Sequence, residues 1–157
     1  MNPSPPVVLL VDDNEDDVFI FTRICTKIGA RHAVQVVRDG AEAIRYLAGE
    51  GGYADRKKYP LPNLVLLDLK LPFLPGLEVL AWMRAHSEFA TTPVAVLTSS
   101  AELRDIARAR KLQAGAYLVK PPTRAAVQKL FSELEKASGS APTFEVEGNR
   151  FSGPPFA

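Results

Sequence analysis

Several residues of this 157-residue chain that could do chemistry stand at one kind of place, directly after a short apolar run. Asp12 and Asp13 follow Val7–Val11, Asp68 follows Leu64–Leu67, Thr98 follows residues 94–97, and Lys120 follows residues 117–119. Three carboxylates brought together repel one another, and a hard divalent cation relieves that repulsion. Mg²⁺ suits one or two carboxylates combined with waters and phosphate oxygens. A carboxylate can also act as a nucleophile and form an acyl phosphate. The metal neutralises charge on the transferring group, a lysine adds a second positive charge, and a hydroxyl can donate to a phosphoryl oxygen. Phosphoryl transfer asks for such positioning and charge stabilisation more than for elaborate covalent steps. Taken singly, each group has an ordinary reading. Asp-Asp after a strand can be a helix cap with a dipole-favoured acid beside it, Asp before Leu-Lys-Leu-Pro a turn residue, and Lys-Pro-Pro a surface turn. Suitable groups at four run ends favour the chemical reading.

The elements that would position them follow from hydrophobic spacing. Val7–Val11 is unbroken apolar sequence, as in a strand buried on both faces. Val34, Val36 and Val37 mark a second strand, Leu64–Leu67 a third, residues 94–97 a fourth and 117–119 a fifth. Helical spacing falls between them. Val18, Phe21, Ile24, Cys25 and Ile28 recur at three- and four-residue steps, with Gly29 as the stop. Asp39 can cap a helix carrying Ala43, Ile44 and Leu47. Val79, Leu80 and Met83 stripe a third helix, Ser99 and Glu102 have capping-box spacing before a fourth, and Val127, Leu130, Phe131 and Leu134 face a fifth. Five βα units predict a doubly wound α/β domain with a parallel sheet, and right-handed crossovers leave few topologies. The flavodoxin-like (βα)5 order 2-1-3-4-5 is the simplest. In such sheets ligands bind beyond the carboxyl ends of the strands, where the acids, the threonine and the lysine would meet.

Composition bounds the alternatives. Apolar residues make up 46% and charged residues 24%, and the net charge of +1 supplies no bulk field toward nucleic acid or anionic lipid. The single Cys25 excludes an intrachain disulfide framework and reads as a small core residue. Residues 1–6 lack the features of a secretory signal, and no apolar run approaches a membrane span, so the expected location is cytoplasmic. Residues 49–62 read as a long polar loop, 6–137 as the domain, and 138–157 as linker and tail without an output domain. Phe144, Val146, Phe151 and Phe156 could dock the tail. His32 and His86 read as surface residues. The basic residues Arg104, Arg108, Arg110 and Lys111 read as a solvated face, because no helix-turn-helix follows.

As a set, Leu9-Leu10-Val11-Asp12-Asp13-Asn14-Glu15, Leu66-Leu67-Asp68-Leu69-Lys70-Leu71-Pro72 with Gly76, Val96-Leu97-Thr98-Ser99-Ser100, Gly115-Ala116, and Tyr117-Leu118-Val119-Lys120-Pro121-Pro122 resemble the receiver domains of two-component response regulators. The resemblance covers about residues 6–137. It implies that Asp68 accepts a phosphoryl group from a sensor histidine kinase or phosphotransfer protein. Asp13, Asp68 and the backbone carbonyl of Lys70 would bind Mg²⁺, with Asp12 acting through water, and Thr98 and Lys120 would hold the phosphoryl oxygens. It also implies a cis bond before Pro121 and a switch in which Thr98 moves and Tyr117 turns inward. The chain would catalyse its own phosphorylation and its own slow dephosphorylation, without being an enzyme on another substrate. The loop at 49–62, the Val-Leu-Thr-Ser-Ser strand end and the lack of an output domain resemble the stand-alone class that includes the cyanobacterial phytochrome response regulators. That class makes a phytochrome a candidate partner. Output would leave through the fourth helix, fifth strand and fifth helix, a face that could form a homodimer or bind a downstream protein.

Three rival readings fit the sequence less well. Asp12, Asn14 and Asp16 alternate as in a calcium loop, but Asp17 stands where the turn glycine belongs and Arg23 where the closing glutamate belongs. An aspartyl-nucleophile phosphatase of the haloacid dehalogenase type wants Asp-x-Asp, and Asp12-Asp13-Asn14 does not supply it. A receiver-like interaction module that works without phosphate would usually have lost the acid pair, Asp68 or Lys120, all of which are present.

Overall fold

The structure, a computed structural model, describes residues 5–99 and 103–136. The strands are β1 (Val7–Val11), β2 (Ala33–Val37), β3 (Leu64–Leu67), β4 (Val94–Thr98) and β5 (Ala116–Val119). The helices are α1 (Glu15–Lys27), α2 (Gly40–Ala48), α3 (Gly76–Ala85), α4 (Leu103–Lys111) and α5 (Arg124–Lys136). All strand pairs are parallel and the sheet order is β2-β1-β3-β4-β5.

Alternation along the strands divides the interior in two. Leu9, Val11, Val65, Leu67, Val96 and Tyr117 face a core shared with Ala43 and Leu47 of α2, Val79, Leu80 and Met83 of α3, and Ala109 of α4. Val8, Leu10, Leu64, Leu66, Leu97 and Leu118 face the other layer, closed by Phe21, Ile24 and Cys25 of α1 and Val127, Leu130 and Phe131 of α5. The central strands are therefore apolar without interruption because both of their faces are covered.

The helix ends follow local chemistry. Asn14, not the acid pair, caps α1: its Oδ1 accepts from the Asp17 N–H at 3.1 Å. That leaves Asp12 and Asp13 outside the capping role. Helix α1 starts before its apolar stripe, with Glu15, Asp16 and Asp17 in the dipole-favoured first turn. Beyond its end Gly29 takes φ +68°, left-handed backbone that costs glycine little. Asp39 caps α2 by accepting from Glu42 N–H at 2.7 Å. The expected partner of Ser99 in a capping box, Glu102, lies outside the described residues, as does the tail 143–157.

Residues 49–62 are more than a polar loop. They contain a 3₁₀ turn (Gly51–Ala54), and Tyr53 and Tyr59 pack on Tyr46 with ring centroids 5.1 and 5.9 Å away. Arg56 donates to the carbonyls of Tyr46 and Leu47 at 2.8 and 2.7 Å, tying the loop to the end of α2. His32 is half-buried, stacked on Phe131 at 4.6 Å, while His86 is exposed.

Candidate functional site

Register brings the functional groups together. Val11 pairs with both Val37 and Leu67, so Asp12 and Asp68 leave adjacent strands side by side. The ladder continues one residue further: Asp12 N–H donates to Val37 O and Asp68 N–H to Val11 O, both at 3.0 Å. On the other side Thr98 pairs with Val119, and Lys120 N–H donates to Thr98 O at 2.9 Å. Asp12, Asp68 and Lys120 thus each extend a strand by one ladder bond, and Thr98 is the last residue of β4.

Asp12 and Asp68 are buried, Asp13 is exposed, and one carboxylate oxygen from each of the three lies within 4.8 Å of the other two. Two backbone amides orient the buried pair: Asn14 N–H donates to Asp12 Oδ1 and Lys70 N–H to Asp68 Oδ1, each at 3.0 Å. Lys120 Nζ crosses the rim to meet three carboxylates. It donates to Asp68 Oδ2 at 2.9 Å and to Asp17 Oδ2 at 2.7 Å, and it lies 2.8 Å from Asp12 Oδ2. The contact with Asp12 is a buried ion pair. Burial raises the Asp12 pKa, with Lys120 working against the rise. Burial alone would lower the Lys120 pKa, but its bonds to Asp12, Asp17 and Asp68 outweigh that and raise it, so the ammonium stays charged.

A divalent cation fits this donor set. Three carboxylates converge, two of them buried, with one oxygen of each within 4.8 Å of the others. Oxygen-only ligands at a partly charged, partly open site suit a hard ion. Gly76 sets the floor of the site. Its N–H donates to Leu69 O at 3.0 Å, and a Cβ there would land on the Asp68 carbonyl oxygen. Thr98 is fully buried at the end of β4, and Tyr117 is buried in the core on β5. The Lys120–Pro121 peptide is cis. The Lys70 side chain is exposed.

Asp12, Asp13, Asp68, Thr98 and Lys120 therefore share the carboxyl rim of the sheet. Asp17 was not expected there. Its position in a helical first turn gives it a sufficient local explanation, and only the folded chain brings it to Lys120, 103 residues away. A cleft of about 430 Å³, lined by Pro6, Arg31, His32, Asn63 and Pro93 among others, lies at the opposite rim, away from every one of these groups.

A five-stranded parallel sheet with an acid cluster and a lysine at its carboxyl rim is the receiver architecture. Residues 8–132 match the family model of the response regulator receiver domain, and the chain belongs to that family. Among its relatives is response regulator Rcp1 of Synechocystis sp. (strain ATCC 27184 / PCC 6803 / Kazusa), 36% identical over 76% of this chain and 78% of that protein. The Mn²⁺-bound form of Rcp1 superposes with a TM-score of 0.69 at 32% identity, over 84% of this chain and 91% of that one. The phosphorylated cyanobacterial phytochrome response regulator RcpA has a TM-score of 0.69 at 34% identity, over 84% and 90%. The probable methanogenesis regulatory protein FilR2 of Methanothrix harundinacea (strain 6Ac) is 32% identical over 96% of this chain and 90% of its own length. The expected fold and family are therefore met. No described helix is long and apolar enough to cross a membrane.

Proposed function

We propose that Asp68 is the phosphoryl acceptor of a response regulator that takes its phosphoryl group from a histidine kinase or phosphotransfer protein and reports it through a surface change. The supporting observation is the ammonium of Lys120 held 2.9 Å from Asp68 Oδ2, beside an acid cluster able to hold a divalent ion. Asp68 Oδ1 is tied to the Lys70 amide, which fixes the carboxylate, while Oδ2 accepts from the Lys120 ammonium. In the reaction a carboxylate oxygen of Asp68 forms a bond to phosphorus. The phosphorus–nitrogen bond of the donor phosphohistidine breaks, and the imidazole leaves with the electron pair and takes up a proton. Lys120 answers the charge gathering on the phosphoryl oxygens, and the Thr98 hydroxyl is the second contact for them.

Mg²⁺ is the metal proposed, held by Asp13, Asp68 and the Lys70 carbonyl, with Asp12 through water. It would supply neutralising charge to the transferring group. Mn²⁺ is present in the structure of Rcp1. The switch pair is Thr98 and Tyr117, and Tyr117 is buried in this conformation. The proposed output face is α4, β5 and α5, open to a homodimer or a downstream partner. A phytochrome-type kinase is the proposed source, on the similarity to RcpA.

The test is intact-mass analysis after incubation with acetyl phosphate, with and without Mg²⁺, on the wild type and Asp68→Asn. The expected result is one phosphoryl group gained by the wild type with Mg²⁺ and none after chelation or in the variant. Folded, Mg²⁺-binding wild type that gains nothing would instead point to a module that binds its partner regardless of phosphate.

A further inference from the structure

Of the three carboxylates around Lys120, two have duties that change during the proposed reaction. Asp68 gives up its negative carboxylate when it is joined to phosphorus, and Asp12 belongs to the acid cluster that would hold the cation. Asp17 belongs to neither group. Its Oδ2 makes the shortest contact to Lys120 Nζ, 2.7 Å, across 103 residues of sequence. Its backbone is fixed by the Asn14 cap, whose Oδ1 accepts from Asp17 N–H. The pair is largely shielded, with side-chain exposures of 11% for Lys120 and 24% for Asp17. Short charge-assisted bonds in such partly dry surroundings are strong and directional.

Resting on the reading of Asp68 as acceptor, we propose that Asp17 is the positioning residue for Lys120: it anchors the ammonium to α1, so that the N–H now given to Asp68 can turn to the phosphoryl oxygen without the lysine leaving the site. An ammonium has three donors on one rotatable centre. With one N–H committed to Asp17, the nitrogen stays beside the acceptor while another N–H changes partner. Without that bond the four-carbon stem is free to take other rotamers, and part of the orientation has to be recovered in each reaction. Because Lys120 would meet the phosphoryl oxygens in both formation and hydrolysis of the acyl phosphate, losing its anchor slows both steps. A residue that only supported folding would not shift the two rates together.

The experiment measures phosphorylation by acetyl phosphate and loss of the phosphoryl group for the wild type, Asp17→Ala, Asp17→Asn and Asp17→Glu, each also in a Lys120→Ala background. Thermal melts verify that each variant is folded. The expected result is phosphorylation and hydrolysis both slower by about tenfold in Asp17→Ala, as for one lost charge-assisted hydrogen bond. Asp17→Asn, which keeps an acceptor oxygen, falls between Asp17→Ala and the wild type, and Asp17→Glu recovers part of the loss. In the Lys120→Ala background Asp17→Ala adds nothing, since a residue acting through another loses its effect when that other is gone. If the wild type is phosphorylated and Asp17→Ala matches both its rates, or slows them equally without Lys120, the inference is overturned while the acceptor reading stands. If the wild type takes no phosphoryl group, both fall.

Discussion

Gly76 shows how little room surrounds Asp68, the proposed acceptor. It sits eight positions after Asp68, at the start of α3, with its N–H bonded to Leu69 O. A methyl group at that position would meet the Asp68 carbonyl oxygen and Leu69 Cα at the same time, and both are backbone, which cannot turn aside as a side chain can. Gly76→Ala should therefore move the strand end at Asp68 away from α3. The expected loss is about 2 kcal/mol or more of stability, read from the urea midpoint, together with slower phosphorylation by acetyl phosphate. A fall in stability with an unchanged rate would mean that the loop yields without carrying Asp68 with it. Cys25 is the contrasting case, a reactive side chain made inert by its place. Packed on the apolar face of α1, its thiol is pushed up to about 11 by burial, so little thiolate is present at neutral pH.

At the scale of elements, Arg84 of α3 ties together segments that the sheet alone does not join. Its Nε donates to Leu112 O at 2.9 Å and one Nη to Gln113 O at 3.1 Å, at the end of α4. The other Nη donates to Phe89 O and Thr92 O, both at 2.9 Å, before β4. A planar fork with five donors can serve both places at once, and a lysine cannot. Arg84→Lys should then lose nearly as much stability as Arg84→Met, on the order of 2–3 kcal/mol, measured by chemical denaturation. A lysine variant close to the wild type would show that one carbonyl group, not the span, matters. These links also mark where sequence reading stops. The strands and the ends Asp12, Asp68, Thr98 and Lys120 were legible because apolar runs and the residue after each are local signals. Arg84 bonding to carbonyls, Arg56 closing α2, and Tyr53 and Tyr59 packing on Tyr46 from residues 49–62 were not. Each depends on a distant backbone or ring that only the folded chain brings near. Asp17 was hidden for a different reason, since an acid in a first helical turn already has a use.

For the molecule as a whole, the carboxyl rim concentrates charge that folding must hold together. The folded chain keeps Lys120 protonated more firmly than the unfolded chain does. Its contribution to stability is therefore complete below the ordinary lysine pKa of about 10.4 and is lost as pH rises through the higher folded value. The stability gap between the wild type and Lys120→Met should stay constant from neutral pH to about pH 10 and narrow above it. Denaturant midpoints across that range would reveal it, and a gap that instead widened in alkali would contradict the paired ammonium. The opposite rim of the same sheet has a separate character. There Pro6, Asn63 and Pro93 enter their strands beside a cleft, far from any group assigned to the chemistry. One rim carries the groups proposed for the reaction, whereas the cleft at the other is lined by none of them. A spectroscopic label or affinity handle placed on that second rim would report on the molecule while standing apart from the proposed chemistry.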